Sequence, residues 1–183
     1  TDETYEITEL GNQLIQEIIP NNDSILRAFV NCYYWVNNSL YDKSSRNLGG
    51  ISELQTQIVY LLKAKIIDFI QNNKNNDKFS QLKEKFPDKQ NFFKSALNKF
   101  RKTIVNTDGS IEFLVLSYLF DYPIIIYNNY GKVIEFYLQG KKDINNKKIK
   151  KLIKKDINKS IHIKLNFEGS SKIPTKVFSI YYI

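Results

Sequence analysis

The chain has 183 residues, 42% hydrophobic and 14% aromatic, enough for one domain with a substantial core and too few for two ordinary ones. No apolar run approaches a membrane span, no signal peptide is visible, and the single cysteine, Cys32, excludes an internal disulfide and a cysteine-rich zinc site. The formal charge of +8 rests almost wholly on lysine, the arginines being Arg27, Arg46 and Arg101. The codon bias of an AT-rich genome accounts for Lys, Asn, Ile and Tyr together better than a dedicated anionic partner does, since charge speaks to association and not to fold. The first residue is Thr1 and not Met, and the expectation is a single domain over 1–183 excised from a larger protein.

From the N-terminus, Glu3 to Ile19 has the pattern of a short amphipathic helix, with Leu10, Leu14, Ile15 and Ile18 on one side and Pro20 as its stop. Asn21, Asn22 and Asp23 form a polar turn whose short side chains suit the cap of a following helix. That helix starts at Ser24, carries Ile25, Leu26, Phe29 and Val30 on one stripe, and stops in Asn37-Asn38-Ser39. Asp42 to Gly50 reads as a loop. Ser52 can cap the next helix, with Leu54, Ile58, Leu61, Leu62, Ile66, Phe69 and Ile70 on its stripe. Phe79 to Phe86 is a short helix stopped by Pro87, and Asn91 to Ile104 a further one.

Asp108-Gly109 then turns into a helix with Ile111, Leu114, Val115, Tyr118 and Leu119, which must end before Pro123. Ile124 to Tyr127 is a continuous run of strand formers, as expected of a strand buried on both faces. Gly131 marks a hairpin into a second strand through Val133, Phe136 and Leu138. Lys141 to Lys159 has the spacing of a basic amphipathic helix. Ser160 to Phe167 alternates, with His162, Lys164 and Asn166 on a polar face, so it predicts a half-exposed strand. Val177 to Ile183 is a terminal strand after a loop to Pro174. Helices first and an antiparallel meander after them predict an α+β fold, helices packed on a small central, mainly antiparallel sheet.

Two of these stretches carry a resemblance. Asn21-Asn22-Asp23-Ser24-Ile25-Leu26-Arg27-Ala28 is similar to "D-G-N-C-L-F-R-A", the nucleophile signature of the ovarian tumour (OTU) cysteine proteases, which cleave ubiquitin from proteins; Ser24 stands at the cysteine. Gly109, Glu112, Phe113, Leu116, Ser117 and Ile124 to Ile126 keep the spacing of the family's "W-G-G-x-x-E-L-x-A-L-S-x-x-x-x-x-x-I-x-V", with Thr107 and Asp108 in place of the Trp and first Gly. Both stretches occur in the family's order, and the resemblance extends from about Leu10 to the C-terminus. It implies an OTU-like, papain-type fold, with Asn21 and Asp23 at oxyanion-loop positions and Val177 where the family has its histidine, Phe178 matching the aromatic residue after it.

The chemistry of such a site needs a nucleophile, a histidine paired with it and a polar group that orients the histidine. Ser24 replaces the thiol and Val177 the imidazole, and a hydroxyl needs the base even more than a thiol does. Two such losses favour a naturally inactive, OTU-like domain over a protease with an engineered Cys-to-Ser change. His162, the single histidine, is the one substitute base, although the polar face of its strand predicts a solvated side chain. Cys32 lies eight residues beyond Ser24, about 12 Å along a helix, and reads as a core thiol. One His and one Cys supply no metal site, and Gly49-Gly50 lacks the Lys-Ser/Thr of a phosphate loop, so no cofactor is expected.

Three functions follow as expectations. The first is an OTU-like domain that binds ubiquitin, a ubiquitin-like protein or a second copy of itself. The second is an active OTU deubiquitinase captured with Ser24 as its mutated nucleophile. The third is a basic module that binds nucleic acid or anionic membrane through Lys141 to Lys159, disfavoured because arginine is scarce and no aromatic stacking motif accompanies the lysines. The expected compartment is the cytoplasm, or a host cytosol if the chain belongs to a secreted bacterial effector.

Overall fold

The computed structural model describes residues 5–6, 13–18, 24–37, 52–73, 75–85, 109–128, 132–143, 147–148, 151, 159–167 and 174–181. In chain order the elements are β1 (Tyr5–Glu6), β2 (Gln13–Ile18), α1 (Ser24–Asn37), α2 (Ser52–Asn73), a 3-10 turn (Asp77–Phe79) leading into α3 (Ser80–Lys85), α4 (Ser110–Leu119), β3 (Ile124–Tyr127), β4 (Lys132–Leu138), β5 (Lys141–Lys142), β6 (Ile161–Phe167) and β7 (Pro174–Tyr181). The strands form one sheet in the order β1-β4-β3-β6-β7-β2, with β5 joined to β4. Every ladder is antiparallel except β3 with β6. The fold is therefore α+β on a mainly antiparallel sheet, as the order of elements implies.

The sheet is not a meander. A parallel neighbour cannot be reached by a tight turn, and the chain leaves β4, forms β5 and returns as β6 only at Ile161. The N-terminal strands take the two far edges, β1 on β4 and β2 on β7. The helix expected over Glu3 to Ile19 is thus replaced by two strands. The register of β2 shifts between Leu14 and Gln16. The extra residue of such a bulge breaks the period of two by which a strand is read in sequence.

The helices behave more locally. α1 runs the expected span, and Ile25, Leu26, Phe29 and Val30 are all buried. In α2, Val59, Leu62, Ile66, Phe69 and Ile70 are buried, while Leu61, expected on the stripe, is 63% exposed. Short helix α3 follows the turn capped by the Asn76 side chain. α4 stops at Leu119, and β3 after it is buried along its whole length. The loop expected over 42–50 and the helix over 91–104 lie outside the described residues. Of the basic segment, Lys141–Lys142 forms β5 in place of a helix start, whereas Lys147, Lys148 and Lys151 are helical and exposed.

The main core lies between the helices and one face of the sheet. Ile25, Phe29, Ile66, Phe113 and Leu116 pack there against Ile124, Ile126, Tyr137, Ile161 and Ile163. Ile125, Tyr127, Val133 and Phe136 are equally buried but do not join that cluster. They point to the other face, as the alternation of β3 and β4 requires. A register shift between Ile126 and Tyr127 accommodates Ile134 as an extra residue and keeps the pairs Ile125–Phe136 and Tyr127–Val133 on one side.

One hydroxyl locks the β4–β5 hairpin to α4. Ser117 donates to the Leu114 carbonyl at 2.9 Å and accepts the Gly140 N–H at 3.0 Å. Gly140 has φ +79° in the two-residue turn after Gln139, the left-handed backbone such hairpins demand. Ser117→Ala should cost about 1–3 kcal/mol, because a buried N–H loses its acceptor. Urea denaturation and faster exchange of the Gly140 amide would register it; unchanged protection of that amide would contradict it.

Candidate functional site

The site begins where two helix starts meet. Ser24 is the first residue of α1, at the end where backbone N–H groups lack intrahelical partners. Ile25 follows it and is buried against the start of α4. Gly109 precedes α4 with φ +82°, and a Cβ there would sit 2.6 Å from the Phe113 ring and 3.2 Å from Ile25 Cδ1. Only a residue without a side chain lets α4 approach α1 this closely. The two stretches that carry the resemblance, 85 residues apart from Ser24 to Gly109, are thus in contact at their helix N-termini.

The rest of the second stretch is structural. Glu112, Phe113, Leu116 and Ser117 are buried, Phe113 beside Tyr137 with ring centres 5.4 Å apart. The far end of α4 meets α1 through rings: Phe120 lies 5.3 Å from Phe29 and 4.9 Å from Tyr33, and Tyr122 lies 5.5 Å from Tyr33. On the opposite flank Arg27 Nη2 donates to Thr56 Oγ1 of α2 at 2.7 Å. α1 is therefore held along its length by α2, by α4 and by the sheet strands β6 and β7 beneath it.

The expected site residues divide. Asn21 and Asp23 lie outside the described residues. Val177 belongs to β7, where its backbone pairs with Ile18 on one side and Leu165 on the other. Ile18 is the last residue of β2, so the position that the resemblance gives to the histidine is paired with a residue six positions before Ser24.

His162 is elsewhere. Its backbone pairs with Ile180 and Ile125, and its neighbours Ile161 and Ile163 face the α1 core. The His162 ring consequently projects to the other face, where Nδ1 lies 2.7 Å from the Tyr127 hydroxyl. The expectation of a solvated histidine is corrected: His162 is 2% exposed, because β6 runs between β3 and β7 and has both faces covered at this point. The sheet stands between the imidazole and α1. Cys32 marks the separation from the helix side, its thiol donating to the His162 carbonyl oxygen at 3.0 Å. It is a buried core thiol, as expected.

Tyr127 as the partner of His162 escaped sequence reasoning, since a tyrosine closing an Ile-Ile-Ile run reads as one more apolar residue. Its hydroxyl was the available signal, because a buried phenol needs a hydrogen-bonding partner. Among the described residues no group of three His, Cys, Asp or Glu side chains could hold a metal ion, and no helix is long and apolar enough to cross a membrane.

The chain is similar to the uncharacterized protein R327 of Acanthamoeba polyphaga mimivirus, with 27% identity over 98% of the chain. It spans 12% of the length of that relative. No protein-family model matches the chain, and no solved structure matches it.

Proposed function

We propose that this domain is OTU-like without proteolysis and acts by binding ubiquitin, a ubiquitin-like protein or a second copy of itself. The observation that supports this reading is the close approach of Ile25 to Gly109, which brings the two resembling stretches together beside Ser24. The direction of the His162 ring, bonded to Tyr127 across the sheet from α1, supports the loss of chemistry. A hydroxyl at Ser24 without an imidazole to take its proton is a poor nucleophile. The compartment that goes with this function is the cytosol, where ubiquitin is found.

Ser24→Cys tests the reading. The variant should hydrolyse a ubiquitin–aminomethylcoumarin conjugate no faster than the unaltered chain, since a thiol without a base lacks the activation that general-base catalysis supplies, about 100-fold or more. Restored cleavage would reject the inactive domain and establish the alternative, a deubiquitinase with serine at its nucleophile position. Titration with ubiquitin, followed by calorimetry, checks the binding role: heat that saturates is expected, and none with ubiquitin, a ubiquitin-like protein or the chain itself would remove it.

A further inference from the structure

We propose that the cleft between α4, the Asp77–Phe79 turn and the β4–β5 hairpin is a docking site for an acidic peptide segment of a partner protein, one that sets carboxylates beside an apolar side chain. This site is separate from the Ser24 region and does not rest on the OTU-like reading.

The cleft encloses about 610 Å³, within the size range of ligand pockets. Its frame is fastened from three sides. Ser117 holds the Gly140 N–H, and Asp143 N–H donates to the Phe136 carbonyl at 2.8 Å. The Gln81 side chain accepts the Lys142 N–H at 2.6 Å and donates to the Lys142 carbonyl at 3.1 Å. Gln81 thereby occupies the outer edge of β5 as a neighbouring strand would. Addition of a partner strand at that edge is blocked, so recognition falls to the side chains that face the cleft.

Those side chains have a definite character. Lys78 Nζ sits 5.0 Å from the centre of the Tyr118 ring, and neither Lys78 nor Lys141 makes an ion pair among the described residues. Tyr118 and Leu119 beside them are 37% and 40% exposed, large apolar groups left open on α4. Lys148 is paired with Asp143 at 3.1 Å and adds little net charge. Asp121, with no ion pair among the described residues, adds a carboxylate to the lining.

Two available ammonium groups flanking exposed apolar surface call for carboxylates flanking an apolar side chain, and Asp121 can accept a peptide N–H or a cation. A nucleic-acid backbone is the poorer match. It requires several cations along its length, and the lining leaves two lysines outside ion pairs among the described residues. The chain's charge of +8 favours approach of an acidic segment from a distance.

The probe is the peptide acetyl-Gly-Glu-Leu-Glu-Phe-Gly-amide, titrated into the full chain labelled with 15N. Saturable shifts should centre on the Tyr118, Gly140 and Lys141 amides. Lys78→Glu with Lys141→Glu should weaken binding about tenfold or more, and replacing both peptide Glu residues by Gln should do the same. Lys65→Glu, on the exposed surface of α2 and outside the cleft lining, should change affinity by no more than about twofold, since solvent screens an exposed charge that does not touch the peptide. The peptide variant keeps the test independent of any effect on folding. Binding that fails to saturate by about 1 mM overturns the proposal. So do shifts centred elsewhere, an equal loss with Lys65→Glu, or stronger binding at the cleft by a ten-residue oligothymidylate than by the peptide.

Discussion

Gly109→Ala should lower the stability of the domain by about 2–5 kcal/mol. Two costs combine at this position. The backbone at φ +82° lies in the left-handed region, where a Cβ costs about 1–2 kcal/mol. The new methyl group would also stand 2.6 Å from the Phe113 ring, and that ring is fully buried against Tyr137, so relief requires a shift of core packing worth about 1–3 kcal/mol. The two parts are separable. Phe113→Leu trims the ring atoms that meet the methyl group but leaves the backbone strain in place. Urea denaturation of both single variants and the double variant should therefore show a double variant more stable than the sum of the two losses, by about 1 kcal/mol. Strict additivity would mean that the clash is absent and that backbone strain is the whole effect. Because Ile25 is the second-nearest contact, the Gly109 change should also disturb the amide resonances at the start of α1 beside Ser24.

The second large effect belongs to His162. His162→Ala should cost about 2–4 kcal/mol, in the range of large-to-small changes at buried positions. The ring is 2% exposed, and its removal takes away both the packing volume and the 2.7 Å bond to Tyr127. A solvated strand histidine would lose less than about 0.5 kcal/mol by the same change, so the measurement decides between the two placements. The bond itself can be isolated by a cycle of His162→Leu and Tyr127→Phe. The pair should couple by about 0.5–3 kcal/mol, since the two side chains touch. This bond spans β3 and β6, the parallel ladder of the sheet. Loss of coupling with native stability in both single variants would show that the parallel ladder holds without it.

Much of the local structure was legible in the residues. Pro123 sets an outer limit for α4, because its ring denies Tyr122 a helical backbone, and the helix stops within that limit at Leu119, with Asp121 turning left-handed at φ +52°. Ile124 to Tyr127 has no polar alternation, and the strand is buried on both faces. α1 follows its apolar stripe from Ser24 to Asn37. The spacing of Gly109, Glu112, Phe113, Leu116 and Ser117 likewise marks positions that all turn out to be buried. The misreadings are equally local in origin. The bulge in β2 interrupts the alternation by which a strand is read, and alternation in β6 assigned His162 to water when the face it points to is covered.

Helix limits and buried strands could be derived from the residues because they depend on backbone torsions and on the period of apolar side chains, both settled within a few positions. Strand order, the parallel placement of β6 beside β3, the side of the sheet that takes His162, and the cleft that gathers Lys78, Asp121 and Lys141 were decided only in three dimensions. A strand's own residues specify two faces but not which neighbour covers each, and a charge is brought to a cleft by turns many positions away. Whether a histidine meets a helix or a tyrosine is thus set by the chain folded around it.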